Sequence, residues 1–164
     1  MKLKKTVDFR RIGAFLYAVG FVTYLLVGLK PTADATNYEI SAELEIPAIG
    51  LASEVTTLKL KYHHLETPRT IVGSFAREAN KVLLIGHSST VFRDLDDLAV
   101  DDEIIYDETL YKVLSSEVIA KTDVDMGELL AATEKDTIVI MTCAGETLGD
   151  NDATHRLIVT AEAE

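Results

Sequence analysis

The sequence predicts a mainly β domain, closed or nearly closed into a barrel with short helices, behind one N-terminal transmembrane helix. Three observations carry that expectation. Ile12 to Leu29 is an uncharged apolar run of 18 residues. About seven short apolar or alternating segments lie beyond it, and a chain with that many strands must pair or cover its edges. The charge is divided: residues 1–30 hold six bases against Asp8 alone, while the rest holds 26 acids against 10 bases.

The run and the charge division organise the chain. Residues 1–11 form a basic cytoplasmic segment, 12–29 the membrane span, 30–38 a short polar tether and 39–164 the working domain. At about 1.5 Å rise per residue the span covers roughly 27 Å, close to a bilayer's hydrocarbon core. Lys2, Lys4, Lys5, Arg10 and Arg11 precede it. That flank places the N-terminus in the cytoplasm and everything beyond Lys30 outside, as a single-pass plasma-membrane protein. A cleaved signal peptide would want a shorter core and an A-x-A site, which Ala33-Asp34-Ala35 matches weakly. The net charge of −11 argues against nucleic acid as a partner, since phosphate binding needs a basic face. A single Cys excludes an internal disulfide framework and a Cys-rich zinc site.

Within the domain, Glu43–Ile46 alternates as a strand and residues 47–51 turn it back. Val55, Leu58, Tyr62 and Leu65 recur at helical spacing and predict a short amphipathic helix. KVLLIG (81–86) reads as a buried strand, and Phe92, Leu95 and Leu98 suggest one or two helical turns after it. Glu103–Tyr106 and Leu110–Leu114 flank Asp107-Glu108-Thr109 as a tight hairpin, with Glu117–Ala120 a further strand. Asp125 stands where it would cap a helix over Met126–Thr133. TIVIMT (137–142) and RLIVTA (156–161) are the last strands.

Three polar residues lie at the ends of these strands. His87 follows KVLLIG, Cys143 follows TIVIMT, and Arg156 opens RLIVTA. Groups so placed are held by the sheet yet face the connecting loops. Each has a plain reading alone: a small buried hydrophobe, a hydrogen-bonded structural imidazole, a surface ion pair. Together they make one chemistry. A thiol of ordinary pKa about 8.5 is mostly protonated at neutral pH, and a nearby imidazole and guanidinium favour the thiolate. The imidazole then protonates a leaving amine, and the guanidinium holds a carbonyl or an oxyanion.

These residues, in this order, resemble the sortases, membrane-anchored cysteine transpeptidases of bacterial surfaces. The resemblance covers about residues 43–162 and rests on IPAIGL (46–51), VLLIGHSSTVFRDLDDLAVDDEI (82–104), the Thr142-Cys143 pair and Arg156. The run GH-x-x-x-x-F-R-x-L-x-x-L-x-x-x-D-E-I is similar to the compact sortases often called class D or E. The step of 13 residues from Cys143 to Arg156 also matches. The resemblance implies a β-barrel of about eight strands. It implies that Cys143 attacks the Thr–Gly bond of an LPxTG-like C-terminal sorting signal, with His87 as acid and then base. Arg156 would bind the substrate carbonyls or the oxyanion, and Thr142 and Ser88 would adjoin the bound peptide. The implied partners are surface proteins bearing that signal and an amine acceptor, such as a peptidoglycan precursor or a pilin lysine. The chain departs from the family's usual Thr-Leu-x-Thr-Cys, keeping only Thr142-Cys143, and Ala144-Gly145-Glu146 replaces the usual aromatic and Pro residues after the Cys. Both changes fall near the peptide groove.

Other readings compete. Gly86-His87-Ser88-Ser89-Thr90 approaches the G-x-S-x-G elbow of a serine hydrolase, but Thr90 replaces the second Gly and the domain is too short for that fold. His63 and His64 lie in the expected amphipathic helix, and His155 is a rival base beside Arg156. Asp94, Asp96, Asp97, Asp101, Asp102 and Glu103 are hard oxygen donors of the kind calcium takes, but they lack EF-hand spacing and read first as a solvated loop. No other metal or cofactor is expected. A non-enzymatic alternative keeps anchor and barrel as a membrane-tethered binding domain without turnover.

Overall fold

The computed structural model describes residues 38–61, 64–78, 80–149 and 152–164. The expected basic segment, membrane span and nearly all of the tether lie outside them, as does His63. Among the described residues no helix is long and apolar enough to cross a membrane.

The domain is built from β1 (Ile40–Ile46), β2 (Leu51–Thr57), β3 (Leu60–Lys61), β4 (His64–Leu65), β5 (Val72–Glu78), β6 (Lys81–Ile85), β7 (Glu103–Tyr106), β8 (Thr109–Ala120), β9 (Thr137–Gly149) and β10 (Asp152–Ala163). Eight of these strands close a barrel in the order β1-β2-β5-β6-β9-β10-β8-β7, while β3 and β4 pair separately. The β2–β5 and β6–β9 contacts are parallel. Closure leaves the eight barrel strands without a free edge.

Alternation along each strand sorts the apolar side chains to two faces. Leu44, Ile46, Val55, Val72, Leu84, Ile104, Val113, Ile138, Ile140, Leu157 and Val159 fill the interior, joined by Phe92, Leu95 and Leu98 from the connection after β6. Leu83, Val139 and Ile158 point the other way and pack beneath Leu130 as a second cluster outside the wall. Strands β6 and β9 are therefore covered on both faces, which is why they read as continuous apolar runs.

Local chemistry sets the turns. Gly50, at φ 63°, ends a 3-10 turn over Pro47–Ile49 and donates its N–H to the Pro47 carbonyl at 3.1 Å. Asp107 and Glu108 take φ of 47° and 66°, the left-handed pair whose twist suits a two-residue hairpin. Asp125 caps α1 (Met126–Leu129), accepting the N–H groups of Gly127 at 2.7 Å and Glu128 at 3.3 Å.

Three expectations need correction, and one strand was not expected. The described residues of 55–65 form strands where a helix was expected: β2 runs through Thr57, because Val55, Thr56 and Thr57 pair with β5 as β-branched residues favour. The helix capped by Asp125 ends at Leu129, short of Thr133. Glu117–Ala120 is not a separate strand; β8 is continuous through a register shift opposite Thr160 and Ala161. Strand β5 has no counterpart in the sequence reading, since Gly73, Ser74 and its charged end hide it.

Candidate active site

Register brings the three predicted residues to one face. Cys143 on β9 and Arg156 on β10 are direct cross-strand partners. Directly opposed residues share a face, with Cβ atoms about 4.5–5.5 Å apart. The parallel pairing of β6 with β9 sets Ile85, the last residue of β6, level with Met141, and His87 follows two residues past that strand end as Cys143 follows Met141 along β9. On the far side Arg156 pairs with Ile119 of β8. Across the wall the row therefore reads His87, Cys143, Arg156, Ile119. The next row is Ile85, Met141, Ile158, Glu117. Alternation places both rows on the outer face, continuous with the second apolar cluster.

The His87 end of the row is fixed by its neighbours. The Thr142 hydroxyl donates to the Gly86 carbonyl at 2.8 Å and staples the end of β6 to β9 one residue before His87 and Cys143. A β-carbon on Gly86 would lie 2.6 Å from the side chains of Phe92 and Val91, so only glycine lets the following loop fold back this closely. That loop returns the N–H groups of Thr90 and Phe92 to the His87 carbonyl at 3.2 and 3.1 Å. With Phe92 only 1% exposed, the backbone of His87 is anchored by the core. His87 and Cys143 are themselves half-buried, reachable from solvent yet held.

Arg156 is held along its own strand. Its Nη1 donates to the carbonyls of Ala153 at 3.0 Å and His155 at 2.8 Å, and its Nη2 to Asp152 Oδ1 at 2.7 Å. The other Asp152 oxygen takes the Lys121 ammonium. Hydrogen bonds from Lys121, Arg156 and the Ala153 N–H hold the Asp152 carboxyl well below the usual carboxylate range. The sequence reading does not single out Asp152. Its only signal there is an acid four residues before an Arg, which gains meaning once both lie on one extended strand.

A cleft of about 340 Å³ opens on the same outer face beside the row. Ile119, Val139, Ile158 and Thr160 floor it, Asp123, Asp125, Glu128 and Leu129 of the β8–β9 connection wall it, and Lys81 closes its far end; of the row, Ile119 lines it, while His87, Cys143 and Arg156 lie outside its lining.

The remaining candidates fall elsewhere. Thr142 is 3% exposed and faces inward, where its hydroxyl bonds the Gly86 carbonyl. Ser88 is half-buried in the loop after His87, where turns lead only to a three-residue 3-10 segment, Leu95–Asp97; the strand-turn-helix elbow of a serine hydrolase is not formed. His155 shares the inward face with Leu157, opposite to Cys143, and its Nδ1 lies 2.8 Å from the Thr154 hydroxyl. His64 lies in β4, outside the barrel wall. Among the described residues no three His, Cys, Asp or Glu side chains gather as a metal site. In the acidic connection, Asp102 instead accepts the Ala99 N–H at 2.9 Å, and Glu103 pairs with Lys112 at 2.8 Å.

The structure is thus an eight-stranded barrel with a Cys–Arg pair across two neighbouring strands and a His just past the end of a third. The chain matches the family described as Sortase domain over residues 44–164, and it belongs to the sortase family. Among solved structures it is similar to a lid mutant of sortase A from Corynebacterium diphtheriae, at 22% identity and TM-score 0.60 over 80% of this chain and 74% of that one. It is similar to sortase C2 of pilus island 1 of group B Streptococcus, at 20% identity and TM-score 0.60 over 77% and 74%. A sortase D5 transpeptidase from Clostridium perfringens matches at 22% identity and TM-score 0.58 over 77% and 79%. No curated protein sequence matches the chain.

Proposed function

We propose that the chain is a cysteine transpeptidase that cleaves an LPxTG-like C-terminal sorting signal and transfers the protein to an amine. The cross-strand register of Cys143 with Arg156, with His87 two residues past the end of the adjoining strand, carries this reading. The Cys143 thiolate attacks the Thr carbonyl carbon, and the Arg156 guanidinium donates to the oxygen as it gains charge. The Thr–Gly bond then breaks, and His87 gives the departing amine its proton. The acyl group is left as a thioester. An incoming amine, from a cell-wall precursor or a pilin lysine, loses a proton to His87 as it attacks, and the thiolate leaves. The cleft beside the row offers an apolar floor to an extended peptide. The apolar run 12–29 and its basic flank support a plasma-membrane anchor with this domain outside, where both substrates are found. Protease added to intact cells is then expected to digest the domain, and full protection would reverse the orientation.

Intact mass after incubation with a set of sorting peptides tests the reaction. The expected result is a gain equal to the peptide's N-terminal fragment, lost in Cys143→Ala and kept in Ser88→Ala. No adduct with any sorting peptide would leave a binding domain without turnover.

A further inference from the structure

A guanidinium on a long flexible stem acts on a reacting carbonyl only if something fixes it in place. In this chain three of the five N–H donors of Arg156 are engaged, and all three acceptors lie within the four residues before it on β10. Two are main-chain carbonyls, which any residue would supply. The third is the Asp152 carboxylate, the one acceptor that depends on side-chain identity. Its second oxygen binds Lys121, the first residue of the connection that walls the cleft.

We propose that Asp152 is the positioning residue of this site: it holds the Arg156 guanidinium in the row beside Cys143 and ties it, through Lys121, to the wall of the peptide cleft. The inference rests on the transpeptidase reading above and adds to it a residue that touches neither the substrate nor the thiol. Asp152 acts through Arg156. A positioning role separates from a structural one in kinetics, because an interaction needed only in the transition state lowers kcat while leaving KM nearly unchanged.

The test uses the full chain in detergent, with thioester formation followed by quenched intact mass, and with the Arg156 side-chain ¹H–¹⁵N signals assigned by their loss in Arg156→Lys. Asp152→Ala is expected to lower the acylation kcat by roughly 10–100-fold with KM shifted less than about threefold. Asp152→Asn keeps an acceptor oxygen and should fall in between, and Asp152→Glu should restore most of the loss. The Arg156 guanidinium signals, protected from exchange in wild type, should broaden or vanish in Asp152→Ala and Asp152→Asn. Wild-type kcat in Asp152→Ala would overturn the proposal, as would guanidinium signals that the substitution leaves unchanged. A fall in kcat matched by an equal fall in melting temperature would also overturn it, by making Asp152 structural. If wild type forms no thioester at all, the transpeptidase reading fails, while the guanidinium signals still decide whether Asp152 holds Arg156.

Discussion

At the scale of single residues the site turns on the difference between a fork and a point charge. Arg156 offers planar paired donors, whereas a lysine ammonium keeps the charge and loses the geometry. Arg156→Lys is expected to slow acylation by roughly 10²–10³-fold, the loss typical of removing an oxyanion donor. Its melting temperature should barely move, since a partly exposed ion pair contributes about 0–1 kcal/mol. Wild-type acylation in Arg156→Lys would reduce the site to a Cys–His pair. The pH dependence has a definite sign. Bonds from Lys121 and Arg156 lower the folded-state value of Asp152 below its unfolded one, so its ion pairs are complete above about pH 4 and are lost only as pH falls through the folded value. An acid-side fall in acylation between about pH 5 and 7 therefore belongs to another group. In Asp152→Asn that limb should keep its midpoint while the plateau drops; a moved midpoint would contradict this. His87, Cys143 and Arg156 were legible because each ends or opens an apolar run. The inward face of Thr142 and the reach of Asp152 were not, because both depend on strand parity, which a one-residue change of register reverses.

At the scale of elements, the contact that matters most is the one joining β6 to β9. Thr142 is buried, and its hydroxyl is the side-chain donor to the Gly86 carbonyl. Thr142→Val keeps the shape and removes the donor, leaving a buried carbonyl unsatisfied at about 1–3 kcal/mol. Urea denaturation should show that loss, and acylation should fall as well, since His87 is the next residue along. Unchanged stability and rate together would mean that β6 is positioned by its backbone ladder alone. The strands best read from the sequence were β6, β9 and β10, whose two-sided burial makes long apolar runs. Strand β5 was missed because its parallel partner, β2, lies 17 residues upstream between Val55 and Val72, beyond any local window. The helix expected from Val55, Leu58, Tyr62 and Leu65 rests on apolar spacings of three and four, which the tertiary pairing of β2 overrides at Val55–Thr57.

At the scale of the whole molecule, charge decides what arrives at the site. Residues 31–164 hold 26 acids against 10 bases, and Glu117, Asp123, Asp125 and Glu128 line the cleft itself against Lys81 alone. A concave site of predominantly one sign, with low-dielectric walls, concentrates ions of the other sign and raises their rate of encounter. The incoming amine is a cation before it gives up its proton, and a sorting peptide flanked by lysines is another. Both are drawn in, while a glutamate-flanked peptide is repelled. Salt removes the difference, because the screening length falls from about 10 Å at 0.1 M to about 3 Å at 1 M. Raising sodium chloride over that range should lower kcat/KM several-fold for a lysine-flanked peptide, raise it for a glutamate-flanked one and leave a neutral one nearly flat. Acylation rates for the three peptides across a salt series measure this directly. If all three share one slope, the acidic surface serves solubility and has no part in bringing substrate to Cys143.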